Sequence, residues 1–79
     1  MTALLRSQVP THAVPVTPSD TVQLTFVQLF IGTAGNVTLV TDAGETALFK
    51  NLANGSTIVQ AGQKVMAAGT TATDILAQW

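Results

Sequence analysis

From Gly32 onward, residues that permit sharp turns return about every 8–12 positions. They are Gly32-Thr33-Ala34-Gly35-Asn36, Asp42-Ala43-Gly44-Glu45, the stretch 51–56 with its Asn54-Gly55, Ala61-Gly62, and Ala68-Gly69-Thr70-Thr71. That punctuation leaves no amphipathic stretch of about ten residues at helical spacing. The intervals hold β-branched and apolar residues instead, with Thr alone at thirteen positions. Such residues pack well on a pleated, half-buried surface. The expected fold is all-β, a small β-sandwich or barrel of about 6–8 short antiparallel strands.

Residues 1–20 are expected to form an extended Pro-rich arm and residues 21–79 the β domain. Pro10, Pro15 and Pro18 each fix φ and push Val9, Val14 and Thr17 toward extended geometry. An arm apolar at Val9, Val14 and Val16 suits a sheet edge or a neighbouring subunit. Ser19-Asp20 reads as a turn. In residues 21–31, Val22, Leu24 and Phe26 alternate with polar neighbours, and then the phase slips to Val27, Leu29 and Ile31. Either a bulge lies near Phe26-Val27 or two short strands meet there. Further strands are expected over residues 36–42, 45–50, 57–60, 63–67 and 73–79, with Asn54-Gly55 as a hairpin-type turn. A short helix over residues 73–78 competes with the last strand, since Ala, Leu and Gln tolerate it.

Charge is scarce. Only 9% of the 79 residues are Asp, Glu, Lys or Arg and 47% are apolar, where soluble domains average about 25% charged. A folded chain of 8.2 kDa exposes about 4,500 Å², so each of the seven charges would serve about 600 Å². Much of that surface is expected to be covered by other copies or other proteins. Arg6, Lys50 and Lys64 are scattered, which excludes the clustered basic surface of a nucleic-acid binder. No segment carries the ~18 apolar residues of a membrane span, and the opening Met1-Thr2-Ala3-Leu4-Leu5-Arg6 lacks the apolar region of a signal peptide. Neither export nor membrane anchoring is expected. Without cysteine there is no disulfide framework and no thiolate metal site.

Catalytic and metal constellations are also missing. His12 is the only histidine, and Asp20, Asp42, Glu45 and Asp74 lack zinc or calcium ligand spacing, so no metal and no cofactor is expected. Asp42 and Glu45 sit where a turn places acidic residues for solvation. No serine lies in a nucleophile elbow, and Gly32-Thr33-Ala34-Gly35 lacks the ending of a phosphate loop. The chain is therefore not expected to be an enzyme. Phe26 and Phe49 read as core, and Trp79 as an interface anchor, because Trp is the side chain most enriched at binding hot spots. Val9, Val14, Val16, Phe30 and Trp79 form the expected subunit interface.

The run Leu29-Phe30-Ile31-Gly32-Thr33-Ala34-Gly35-Asn36-Val37, then Gly44-Glu45-Thr46 with Phe49, resembles a family of small phage and gene-transfer-agent virion proteins, the head spike base proteins. Pro18-Ser19-Asp20 fits the same pattern. The most specific part is the ending, Ala68-Gly69-Thr70-Thr71-Ala72-Thr73-Asp74-Ile75-Leu76-Ala77-Gln78-Trp79. The resemblance implies a β-rich, non-enzymatic structural protein of a tailed-phage-like particle. It implies a ring-like homo-oligomer, with a pentamer favoured, docked on the major capsid protein at a head vertex and carrying a spike or fibre. Localisation in the virion, after assembly in the bacterial host cytoplasm, goes with that implication. The same features suit a tail, fibre-base or capsid cement (decoration) protein. From another class, a small host-glycan-binding module would show exposed aromatics and a polar groove.

Overall fold

The computed structural model describes residues 10–79. Among these residues there are seven strands: β1 (Ala13–Pro15), β2 (Gln28–Thr33), β3 (Gly35–Thr41), β4 (Thr46–Leu52), β5 (Ser56–Ile58), β6 (Gly62–Val65) and β7 (Thr73–Gln78). All pairing is antiparallel, in a four-stranded sheet ordered β1-β7-β2-β5 and a three-stranded sheet ordered β4-β3-β6. The all-β expectation, with its strand number, holds, and the two sheets make the architecture a sandwich.

Period-two alternation builds the core directly. Leu29 and Ile31 of β2, Ile58 of β5, and Ile75 and Ala77 of β7 turn inward from the four-stranded sheet. Val37 and Leu39 of β3 and Val65 of β6 meet them from the other, with Phe26 between. Val14, Val16, Leu24, Ala47, Phe49 and Leu52 pack on the margin of this cluster. Thr41 is the one buried polar residue among those described, and its hydroxyl accepts the Glu45 amide at 3.2 Å inside the β3–β4 turn.

The phase slip at Phe26-Val27 is where the chain changes sheets. Before it, the Ser19 and Leu24 amides donate to the Val65 and Gln63 carbonyls (2.9 and 2.8 Å), and Phe26 and Gly62 exchange main-chain bonds of 3.0 and 2.9 Å along β6. After it, the Val27 amide donates to the Gln78 carbonyl (2.8 Å) on the opposite sheet. The expected strand over residues 21–26 is reduced to that single bridge at Phe26. The cause is local: the Ser19 hydroxyl accepts the Thr21 and Val22 amides (3.3 and 3.2 Å), closing a turn that carries Val22 outward to 64% exposure.

One other expectation changes. Asn54-Gly55 forms a turn, with Gly55 at φ 80° and the Ser56 amide bonded to the Ala53 carbonyl at 3.2 Å. It joins β4 of one sheet to β5 of the other rather than closing a hairpin. The expected last strand forms as β7, and the competing helix does not, because β7 is paired on both sides, by β1 and β2. The arm residues 13–15 lie on the edge of the chain's own four-stranded sheet, and the Val16 amide extends that edge by donating to the Ile75 carbonyl (2.8 Å).

Candidate interaction surface

Since Leu29, Ile31, Ile75 and Ala77 point inward, the alternate positions of the same strands point out. Register aligns Pro15 with Leu76, Leu76 with Phe30, and Phe30 with Thr57, a row across all four strands. Phe30 and Leu76 are only half-buried and belong neither to the core nor to its margin. A second row runs Ala13, Gln78, Gln28, with the Gln28 amide nitrogen donating to the Gln78 side-chain oxygen at 2.6 Å. Beside β5, Val59 is 79% exposed. Asp74 is the one charged residue of these four strands; it stands at φ 56° and accepts the Thr33 hydroxyl at 2.7 Å.

The outer face of the three-stranded sheet has a similar plan with opposite charge. Leu48, 48% exposed, lies opposite Thr38, and Val40 lies between Thr46 and Lys64. Lys50, exposed, shares the face of Thr46 and Leu48. The lysine of β6 donates to the Asp20 carbonyl at 3.4 Å.

Trp79 stands at the end of β7, where its ring stacks on His12 with centroids 5.3 Å apart and planes 20° from parallel. The main chain holds the pair: the Thr11 and His12 amides both donate to the Trp79 carbonyl at 2.7 Å, and the Trp79 amide donates to the His12 carbonyl at 3.0 Å. Trp79 keeps 37% of its surface exposed. Next to it, Pro10, Thr11, His12, Ala13, Gln28 and Gln78 line a shallow open depression.

The expected interface residues thus fall in different places. Phe30 faces outward on the four-stranded sheet, Trp79 sits at its end, and Val14 and Val16 rest partly buried against the chain's own core. Val9 lies outside the described residues. Leu76, Leu48 and Val59 join the exposed apolar surface without having been singled out. In sequence, Ile75-Leu76-Ala77 is apolar at both parities and does not reveal which member faces out. Among the described residues, no group of three or more His, Asp or Glu is placed to hold a metal. Asp20 has a structural task, its carboxylate accepting the Ala67 and Ala68 amides at 2.9 and 3.1 Å.

No protein-family model matches this chain, and no curated protein does either. Among solved structures it is similar to a chain described as belonging to the capsid of a native GTA (gene transfer agent) particle computed with C5 symmetry. The likeness is to a capsid chain. The TM-score is 0.78 at 28% identity, over 89% of this chain and 83% of the GTA chain. That agrees with the phage-like particle implied by the closing motif, at the level of a virion component rather than of a spike base.

Proposed function

We propose that this chain is a non-enzymatic structural protein of a tailed-phage-like particle. It works as a homo-oligomeric spike or fibre base, or adaptor, docked on the capsid at a head vertex. The likeness to the GTA capsid chain, in fold and sequence together, is the observation that carries this reading. A pentameric ring at a vertex is the arrangement favoured, and the GTA capsid, computed with C5 symmetry, is an assembly compatible with one. Two outer sheet faces with exposed or half-exposed Phe30, Leu76 and Leu48 support it, since a chain with so few charges needs covered surfaces. The mechanism is multivalent docking: each copy makes modest contacts with its neighbours and with the shell, and tethering in a ring raises the effective concentration of the next contact.

Imaging of intact particles carrying a labelled copy of this chain tests the assignment. Label confined to vertices supports it. Label spread over the shell points to a cement protein instead, and label on the tail to a fibre-base or tail subunit. Either outcome overturns the vertex role.

The depression lined by Thr11, His12, Gln28 and Gln78 favours a second reading, host-glycan binding, because its polar side chains lie next to the stacked His12–Trp79 pair. His12 covers one face of the indole and Gln28 and Gln78 satisfy each other, which weakens it. Glycan-array binding by the wild type that disappears in Trp79→Ala is the result that supports it.

A further inference from the structure

The two outer sheet faces are complementary to each other and not to themselves. The four-stranded sheet presents the row Pro15, Leu76, Phe30 with Asp74 as the one charge within its strands, while the three-stranded sheet presents Leu48 and Val40 with Lys50 and Lys64 and no carboxylate in its strands. Pairing like faces would offer Asp74 no opposite charge and bring only lysines to the lysine-bearing face, and like charges across an interface disfavour it. Pairing unlike faces sets apolar row on apolar row and Asp74 toward lysines. The Asp74 carboxylate is held in place for this by its αL backbone and by Thr33.

We infer that the outer face of the four-stranded sheet of one copy docks on the outer face of the three-stranded sheet of the next, a head-to-tail contact. The inference rests on the self-assembling role proposed above and names its surfaces. Head-to-tail contacts use two different patches per subunit and close into rings when the rotation between neighbours allows it. The contact leaves the Trp79–His12 end of the sandwich free to meet a different partner.

Sedimentation velocity over a concentration series tests this with one variant on each face. Leu76→Lys places a cation against the lysines of the next copy, and Leu48→Glu places a carboxylate against Asp74. Each alone is expected to raise the midpoint concentration for assembly at least tenfold, and a chain carrying both substitutions, which sets the new cation on the new carboxylate at every contact, to return within about threefold of wild type. If Leu76→Lys fails to fold by circular dichroism, Thr57→Lys replaces it, because Thr57 is exposed on the same row. A Leu48→Glu chain that assembles like wild type, or a doubly substituted chain no better than the single variants, overturns the head-to-tail contact while self-assembly stands. A wild-type chain that stays monomeric to about 100 µM, well above the range of ordinary specific association, overturns self-assembly and this contact with it.

Discussion

Substituting Gly62 by alanine puts a methyl group where no room exists. Its Cβ would overlap Phe26 Cζ and lie 2.8 Å from Phe26 Cε1 and 2.9 Å from the Val40 carbonyl oxygen, against about 3.5–4.0 Å for comfortable carbon contacts. The ring has nowhere to go. Phe26 is 1% exposed, and its main chain is tied to Gly62 by the two bonds that join the sheet-crossing segment to β6. Overpacking a tight core costs about 1–3 kcal/mol, and a clash with backbone on one side and a pinned ring on the other puts this case at about 2–3 kcal/mol. A core of this size supplies only about 3–5 kcal/mol, so at about 4–8 °C per kcal/mol the melting midpoint should fall by about 8–24 °C. Thermal unfolding followed by circular dichroism measures it, together with Phe26→Leu and the double variant. Because the clash is with the ring, the double variant should be at least about 1 kcal/mol more stable than the sum of the single effects. A Gly62→Ala chain melting within about 2 °C of wild type, or a strictly additive pair, refutes the packing argument.

Trp79→Ala removes a stacked ring that is 37% exposed. The folded monomer should lose about 1–3 kcal/mol, and assembly or docking of the still-folded variant should weaken tenfold or more if Trp79 is an anchor; an unchanged oligomer distribution and unchanged particle incorporation refute that role. Asp20→Ala deletes the acceptor for the Ala67 and Ala68 amides and should cost about 1–2 kcal/mol in urea unfolding, with Asp20→Asn recovering at least half, because an amide oxygen still accepts. Leu39→Ala, at a position with 0% exposure, should cost about 2–5 kcal/mol and leave the chain largely unfolded at 37 °C; a cooperative melt near that of wild type contradicts its place in the core.

Strand positions were legible where one face of the chain is apolar and the other is not. Val37 and Leu39 against Thr38 could pack only one way, and β3 runs as the alternation requires. The Asp42-Ala43-Gly44-Glu45 turn was legible because Gly44 supplies the φ of 88° that a side chain resists. The site was less so. Phe30 and Trp79 stood out by size, but whether Val14 or Leu76 faces solvent depends on which strand lies beside each, and sequence parity does not carry that. Asn54-Gly55 shows the same limit: the dipeptide specifies a turn, and the strands that flank it choose their sheets by burial.

Local chemistry in this chain determines where backbone can bend and which stretches stay extended, since glycine, proline and β-branched residues act through dihedral sterics that need no partner. The shortage of charge is likewise a property of the sequence, the same whatever the fold. Tertiary pairing alone decided that the crossing at Phe26-Val27 takes the chain from one sheet to the other, and that β7 is gripped from both sides. It also sorted the apolar residues into those that make the core and those left outward on two faces of opposite charge. Those outcomes follow from long-range hydrogen bonds and from the volume two sheets must enclose together, quantities that no local window contains.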